Sequence, residues 1–88
     1  MLAVEAIRLL AVSPDGQTVV VVTPESGTDS MFSLSAASGR RIAVYRGHSG
    51  RVTCIHVTGD SRYVVSGSED LSVIVWHLES GQLLMRTR

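Results

Sequence analysis

The sequence predicts an all-β chain made of two successive copies of one four-stranded antiparallel unit. Three observations carry the prediction. The chain repeats itself. Its apolar stretches are short, rich in β-branched residues and parted by turn residues. Four consecutive valines, Val19 to Val22, do not alternate with polar residues, as expected of a strand covered on both faces.

The repeat is read from turn residues and apolar positions together. Ser13-Pro14-Asp15-Gly16 and Thr58-Gly59-Asp60-Ser61 stand 45 positions apart, and at that offset Ile7 meets Val52, Leu10 meets Ile55 and Val12 meets Val57. Further on, Ser38-Gly39-Arg40 meets Ser80-Gly81-Gln82 at an offset of 42. The first copy therefore carries three extra residues, expected in a loop around Thr23 to Ser30. A period of about 40–45 residues marks propeller blades or a similar array.

The elements follow in order. In the first copy the expected strands are Ala6–Val12, Thr18–Thr23, Ser30–Leu34 and Arg41–Tyr45. Leu2 to Leu10 has helical propensity, but the alignment with Val52–Val57 favours strand from about Ala6, with Met1–Glu5 a frayed or weakly helical lead-in. In the second copy they are Val52–Val57, Tyr63–Ser66, Ser72–Leu78 and Gln82–Arg86, separated by Gly-, Ser- and Asp-rich turns. The units divide at residues 1–46 and 47–88.

Composition narrows the function classes. The chain has 88 residues, 44% apolar and 18% charged, with eight basic and eight acidic side chains in balance. A neutral chain lacks the positive field that drives non-specific binding to nucleic acid or anionic membranes. All the basic residues are arginine, which excludes lysine chemistry. Cys54 is the single cysteine, so it forms no internal disulfide and reads as a small buried hydrophobe in a reducing compartment. Met1 to Val12 is apolar but broken by Glu5 and Arg8, with neither the basic start nor the cleavage site of a secretory signal. A soluble, cytoplasmic chain is expected.

Gly47-His48 precedes the second copy, Ser66-Gly67-Ser68-Glu69-Asp70 lies in its middle, and Val73-Ile74-Val75-Trp76 forms its third strand. These residues resemble the WD repeat, with its Gly-His near the start and Trp-Asp near the end. The resemblance implies two four-stranded β-propeller blades, an incomplete propeller: a degenerate one over residues 1–46 and a good one over 47–88. It also implies that His48, Ser66, Asp70 and Trp76 form a hydrogen-bonded set tying the blade together. His77 stands where the family has its Asp, outside that set. In the first copy Leu34 holds the Trp position and Glu25 is the nearest acid, so that blade is expected to rely on apolar packing alone.

His48, Ser66 and Asp70 also contain the ingredients of a nucleophilic triad, but a triad is defined by geometry and roles, and no G-x-S-x-G elbow is present. His48, His56 and His77 lack metal-binding spacing, and His56 reads as a strand histidine. No phosphate loop or basic run occurs, and four aromatic residues are too scattered to stack bases. No cofactor, metal, nucleic acid or membrane is expected.

By resemblance the chain is a non-enzymatic scaffold for protein partners and a slice of a larger propeller, its blades completed in cis or in trans. The alternative is the non-catalytic repeat part of a large signalling NTPase or other enzyme. The exposed partner-binding candidates on the loop face are Ser49, Arg51, Glu69 and Leu71.

Overall fold

The computed structural model describes residues 7–25 and 28–87. It contains eight strands: β1 (Leu9–Val12), β2 (Thr18–Glu25), β3 (Thr28–Ser35), β4 (Arg41–Val44), β5 (Val52–Val57), β6 (Tyr63–Ser68), β7 (Val73–His77) and β8 (Leu83–Thr87). They form two four-stranded sheets, β1-β2-β3-β4 and β5-β6-β7-β8, with every neighbouring pair antiparallel. The helical lead-in expected at Met1–Glu5 and the expected strand start at Ala6 lie outside the described residues, among which the first strand begins at Leu9.

The repeat is visible in the ladders. Val19 pairs with Leu34 as Val64 pairs with Trp76. The first turn of each sheet is built alike. In the first, Asp15 Oδ1 accepts from the Ser13 hydroxyl and from Gln17 N, and Ser13 Oγ accepts from Thr18 N. In the second, Asp60 Oδ1 accepts from the Thr58 hydroxyl and from Arg62 N, while Thr58 Oγ1 accepts from Tyr63 N. Short polar side chains that bond the backbone two residues on favour such turns.

One expectation needs correction. The extra residues of the first copy do not form a loop around Thr23 to Ser30. Thr23, Pro24 and Glu25 pair with Ser30, Asp29 and Thr28, so the insertion lengthens the β2–β3 hairpin. Continuing the antiparallel register satisfies backbone groups that a loop would leave to water.

The sheets pack face to face around one core. Val20, Val22, Met31, Ala43 and Tyr45 come from the first half, and Val52, Val57, Val64, Ile74, Trp76 and Leu78 from the second. Val20, Val21 and Val22 are all buried, as the unbroken valine run predicts. The first sheet's outer side lacks such cover along β1. Val12 is 52% exposed, whereas its repeat equivalent Val57, inside the core, is 4% exposed. Cys54 is exposed, against expectation. It pairs with Gly67, and an added Cβ on that glycine would meet its sulfur. This face of the second sheet is turned away from the first.

Candidate functional site: a hydrogen-bonded blade and its loop face

The site is built where the linker between the sheets meets the β6–β7 turn. β6 places Ser66 in its middle and β7 places Trp76 on the neighbouring strand. Both are fully buried. Trp76 Nε1 donates to Ser66 Oγ at 2.8 Å, and Ser66 Oγ lies 2.7 Å from His48 Nε2. On the other side of the ring, His48 Nδ1 lies 3.2 Å from Asp70 Oδ2.

Partner chemistry fixes the direction of this chain of bonds. An indole only donates and an ionised carboxylate only accepts. In its neutral form His48 carries its proton on Nδ1, facing Asp70, and accepts a hydrogen bond from the Ser66 hydroxyl at Nε2. The chain runs Trp76 to Ser66 to His48 to Asp70. Every buried donor along it has an acceptor, which removes the cost of burying these groups.

Asp70 is the hub. It accepts from Ser49 N at 2.9 Å, from Ser72 N at 2.9 Å and from the Ser72 hydroxyl. Partial burial raises the carboxyl pKa, but the bonds from Ser72, Ser49 and His48 outweigh it and hold the pKa well below the usual carboxylate range. Ser72 Oγ also lies 3.1 Å from His48 Nδ1, on the same side of the ring as Asp70. Gly47 is needed beside it. A Cβ there would come within 2.9 Å of Trp76 and of Leu83.

The geometry also limits the chemistry. Ser66 is 0% exposed, and its oxygen already accepts the Trp76 N–H. It cannot present a nucleophile to a substrate. His77, in the family's Asp position, closes the β7–β8 turn: its Nδ1 lies 2.9 Å from Ser80 Oγ and accepts from Ser80 N at 3.3 Å. His56 stands exposed on β5. Among the described residues no group of three His, Cys, Asp or Glu side chains could hold a metal ion. No helix among them is long and apolar enough to cross a membrane.

Ser49, Arg51, Glu69 and Leu71 all lie exposed around this hub. Their backbone is tied down. Arg51 O accepts from Glu69 N at 2.8 Å and from Ser68 Oγ at 2.8 Å.

Two polar links were not anticipated. The Asp29 carboxylate, fully covered, accepts from Arg8 Nη2 at 2.8 Å and from Val52 N at 2.8 Å. Arg8 Nη2 also donates to Val52 O at 2.6 Å. Burial raises the Asp29 pKa, and the bonds from Arg8 and Val52 overcome this and lower it. Tyr45 Oη donates to Leu78 O at 2.5 Å and lies 3.0 Å from Ser33 Oγ. The first blade therefore does not rely on apolar packing alone. A buried phenol needs a polar partner, and Ser33 and Leu78 supply it. The side chain of Glu25, expected as the acid of that blade, lies outside the described residues.

Comparison with known proteins agrees with this geometry. The family model for the WD domain, G-beta repeat, matches residues 39–77. The chain is 36% identical over 70 residues to eukaryotic translation initiation factor 3 subunit I of Xenopus tropicalis, covering 80% of the chain and 21% of that protein. It is 37% identical over 49 residues to the Homo sapiens protein of that name, covering 56% of the chain and 15% of that protein. In structure it is similar to the RRP9 WD40 repeats (TM-score 0.83, 26% identity, 99% of the chain and 27% of that one). It is likewise similar to U3-55K (TM-score 0.84, 26% identity, 99% of the chain and 28% of that one). The chain belongs to the WD-repeat family, and its two sheets are β-propeller-type blades. It spans about a fifth of the length of the Xenopus relative.

Proposed function

We propose that this chain is a non-enzymatic scaffold unit whose loop face binds a protein partner. The observation that carries the reading is the juxtaposition of exposed Arg51 and Glu69 on backbone pinned to one acceptor, Arg51 O. Charged side chains on a preorganised base bind at less entropic cost than on a mobile loop. His48, Ser66, Asp70 and Trp76 are the structural set that keeps this base in place. The blades divide at residues 1–46 and 47–88. Further blades, in cis or in trans, cover the exposed edge at Ile7 and Val12.

The likeness to a subunit of translation initiation factor 3 supports membership of a cytoplasmic multi-protein assembly of that kind. Co-purification of the other subunits of that factor with the tagged full-length protein tests the reading. Recovery of the factor by the wild type, and its loss on the Arg51→Ala/Glu69→Ala double substitution, is the expected result. Equal recovery by both proteins overturns the role of this face.

A further inference from the structure

Each end of the blade pair presents a face whose repeat equivalent is buried between the blades. In the second sheet His56, Val65, Val75 and Met85 form one row across the four strands. At the repeat offsets of 45 and 42 they match Ala11, Val20, Ser33 and Ala43, a row of the first sheet. The first-sheet row lies against the shared core, with Val20 and Ser33 0% exposed. The second-sheet row is turned outward, and its Met85 is 56% exposed.

The outer face of the first sheet is the counterpart. Val12, Val19 and Leu34 form a row there, matching Val57, Val64 and Trp76 of the second sheet. The second-sheet residues are buried in the core, whereas Val12 is 52% exposed. One end of the pair therefore carries one half of the internal junction, and the other end carries its complement. What covers a face of the Val65–Val75 kind is visible inside the chain itself: a face of the Val57–Trp76 kind.

We infer that a second copy of this chain covers these faces head to tail, the outer face of its first sheet seated on the outer face of the second sheet. The inference rests on the reading that further blades cover the edge at Ile7 and Val12, and it commits to their source. Such a heterologous contact repeats from copy to copy and closes into a ring when the rotation allows. Propellers close at roughly 4–8 blades, so about three or four copies complete one. Acidic and basic side chains balance, so little charge repulsion opposes the association. The contact between copies is weaker than the internal junction. Leu71 and Thr87 stand at the repeat positions of Asp29 and Tyr45, so neither the Asp29 bond to Val52 N nor the Tyr45 bond to Leu78 O recurs. Apolar burial alone holds the copies together, and the assembly is reversible.

The test is the solution mass of this 88-residue chain by light scattering, from micromolar to millimolar concentration. A discrete trimer or tetramer that dissociates on dilution is expected. Val12→Glu and Met85→Glu each place a charge on one of the two faces. Both positions are more than half exposed, so the fold is kept, and matching circular dichroism spectra check this. Each variant alone is expected to stay monomeric at about a hundredfold higher concentration than the unaltered chain needs to assemble. Mixed, the two are expected to form a one-to-one dimer, because each retains the face that the other has lost. A monomeric unaltered chain at every concentration overturns the inference and leaves the protein-binding reading of the loop face standing. Dimers of Val12→Glu alone, or a mixture that stays monomeric, overturn the head-to-tail contact. Aggregates of no fixed size that neither substitution limits overturn it as well.

Discussion

Tyr45 reaches across from the first blade to donate its hydroxyl to the carbonyl of Leu78 in the second, at 2.5 Å. Its ring meets Trp76 edge-on at 5.7 Å between centroids. One residue therefore joins the end of β4 to the indole at the centre of the second blade's hydrogen-bonded set. Tyr45→Phe keeps the ring and removes the link. It is expected to cost about 1 kcal/mol of unfolding free energy, measured by urea titration. No change would mean that water replaces the bond without penalty.

Ser66 is the junction of that set, so Ser66→Ala leaves the buried indole N–H of Trp76 and the ring nitrogen of His48 without their partner. The expected loss is about 2 kcal/mol, the penalty for stranding buried polar groups. Ser72→Ala removes a hydroxyl that Asp70 can partly do without, because Ser49 N and Ser72 N still donate to the carboxylate. It should cost less. A reversed order in urea unfolding would contradict the assignment of Ser66 as the junction.

Acid should weaken the fold through its carboxylates. Asp70 and Asp29 both have folded-state pKa values below the ordinary range. A depressed value means that the unfolded chain binds protons at a pH where the folded chain does not. The stabilisation is therefore complete above the unfolded value of about 3.9 and is lost as pH falls through the folded value. Urea midpoints for these groups should be flat from pH 7 to 5 and fall below about pH 4. Asp70→Asn should be less stable at pH 7 and show a shallower fall. An unchanged slope in that variant would remove Asp70 from the account.

Gly39 and Gly81 occupy equivalent turns, with φ of +76° and +78°. They differ in surroundings. A Cβ on Gly39 meets nothing within 4 Å, whereas one on Gly81 would stand 2.4 Å from Val44 O, a backbone atom of the first blade. Gly39→Ala should cost about 1 kcal/mol, from the left-handed backbone alone. Gly81→Ala should cost clearly more, since the blades must part to admit the methyl. Equal melting temperatures for the two variants would argue against this close approach.

Much of the fold was legible because the repeat ties local patterns together. The paired turns at Asp15 and Asp60 fix the register of everything between them, and Gly47-His48, Asp70 and Trp76 mark where a buried polar set has to meet. The polar links between blades were not legible. Asp29 reaches Val52 because the inserted residues extend a hairpin, and sequence alone does not distinguish an extended hairpin from a longer loop. Tyr45 read as one of several scattered aromatics, although a phenol at the end of a buried strand was itself a signal that a partner existed. Cys54 read as buried because strand periodicity names two faces without saying which one has a neighbour.

The central claim is that the face around Asp70 is where a protein partner sits. Hydrogen exchange of the protein, alone and with purified translation initiation factor 3, tests it most directly. The account predicts added protection at residues 47–51 and 68–72, with none at the opposite turns, 13–17 and 58–62. Protection confined to those opposite turns would contradict it.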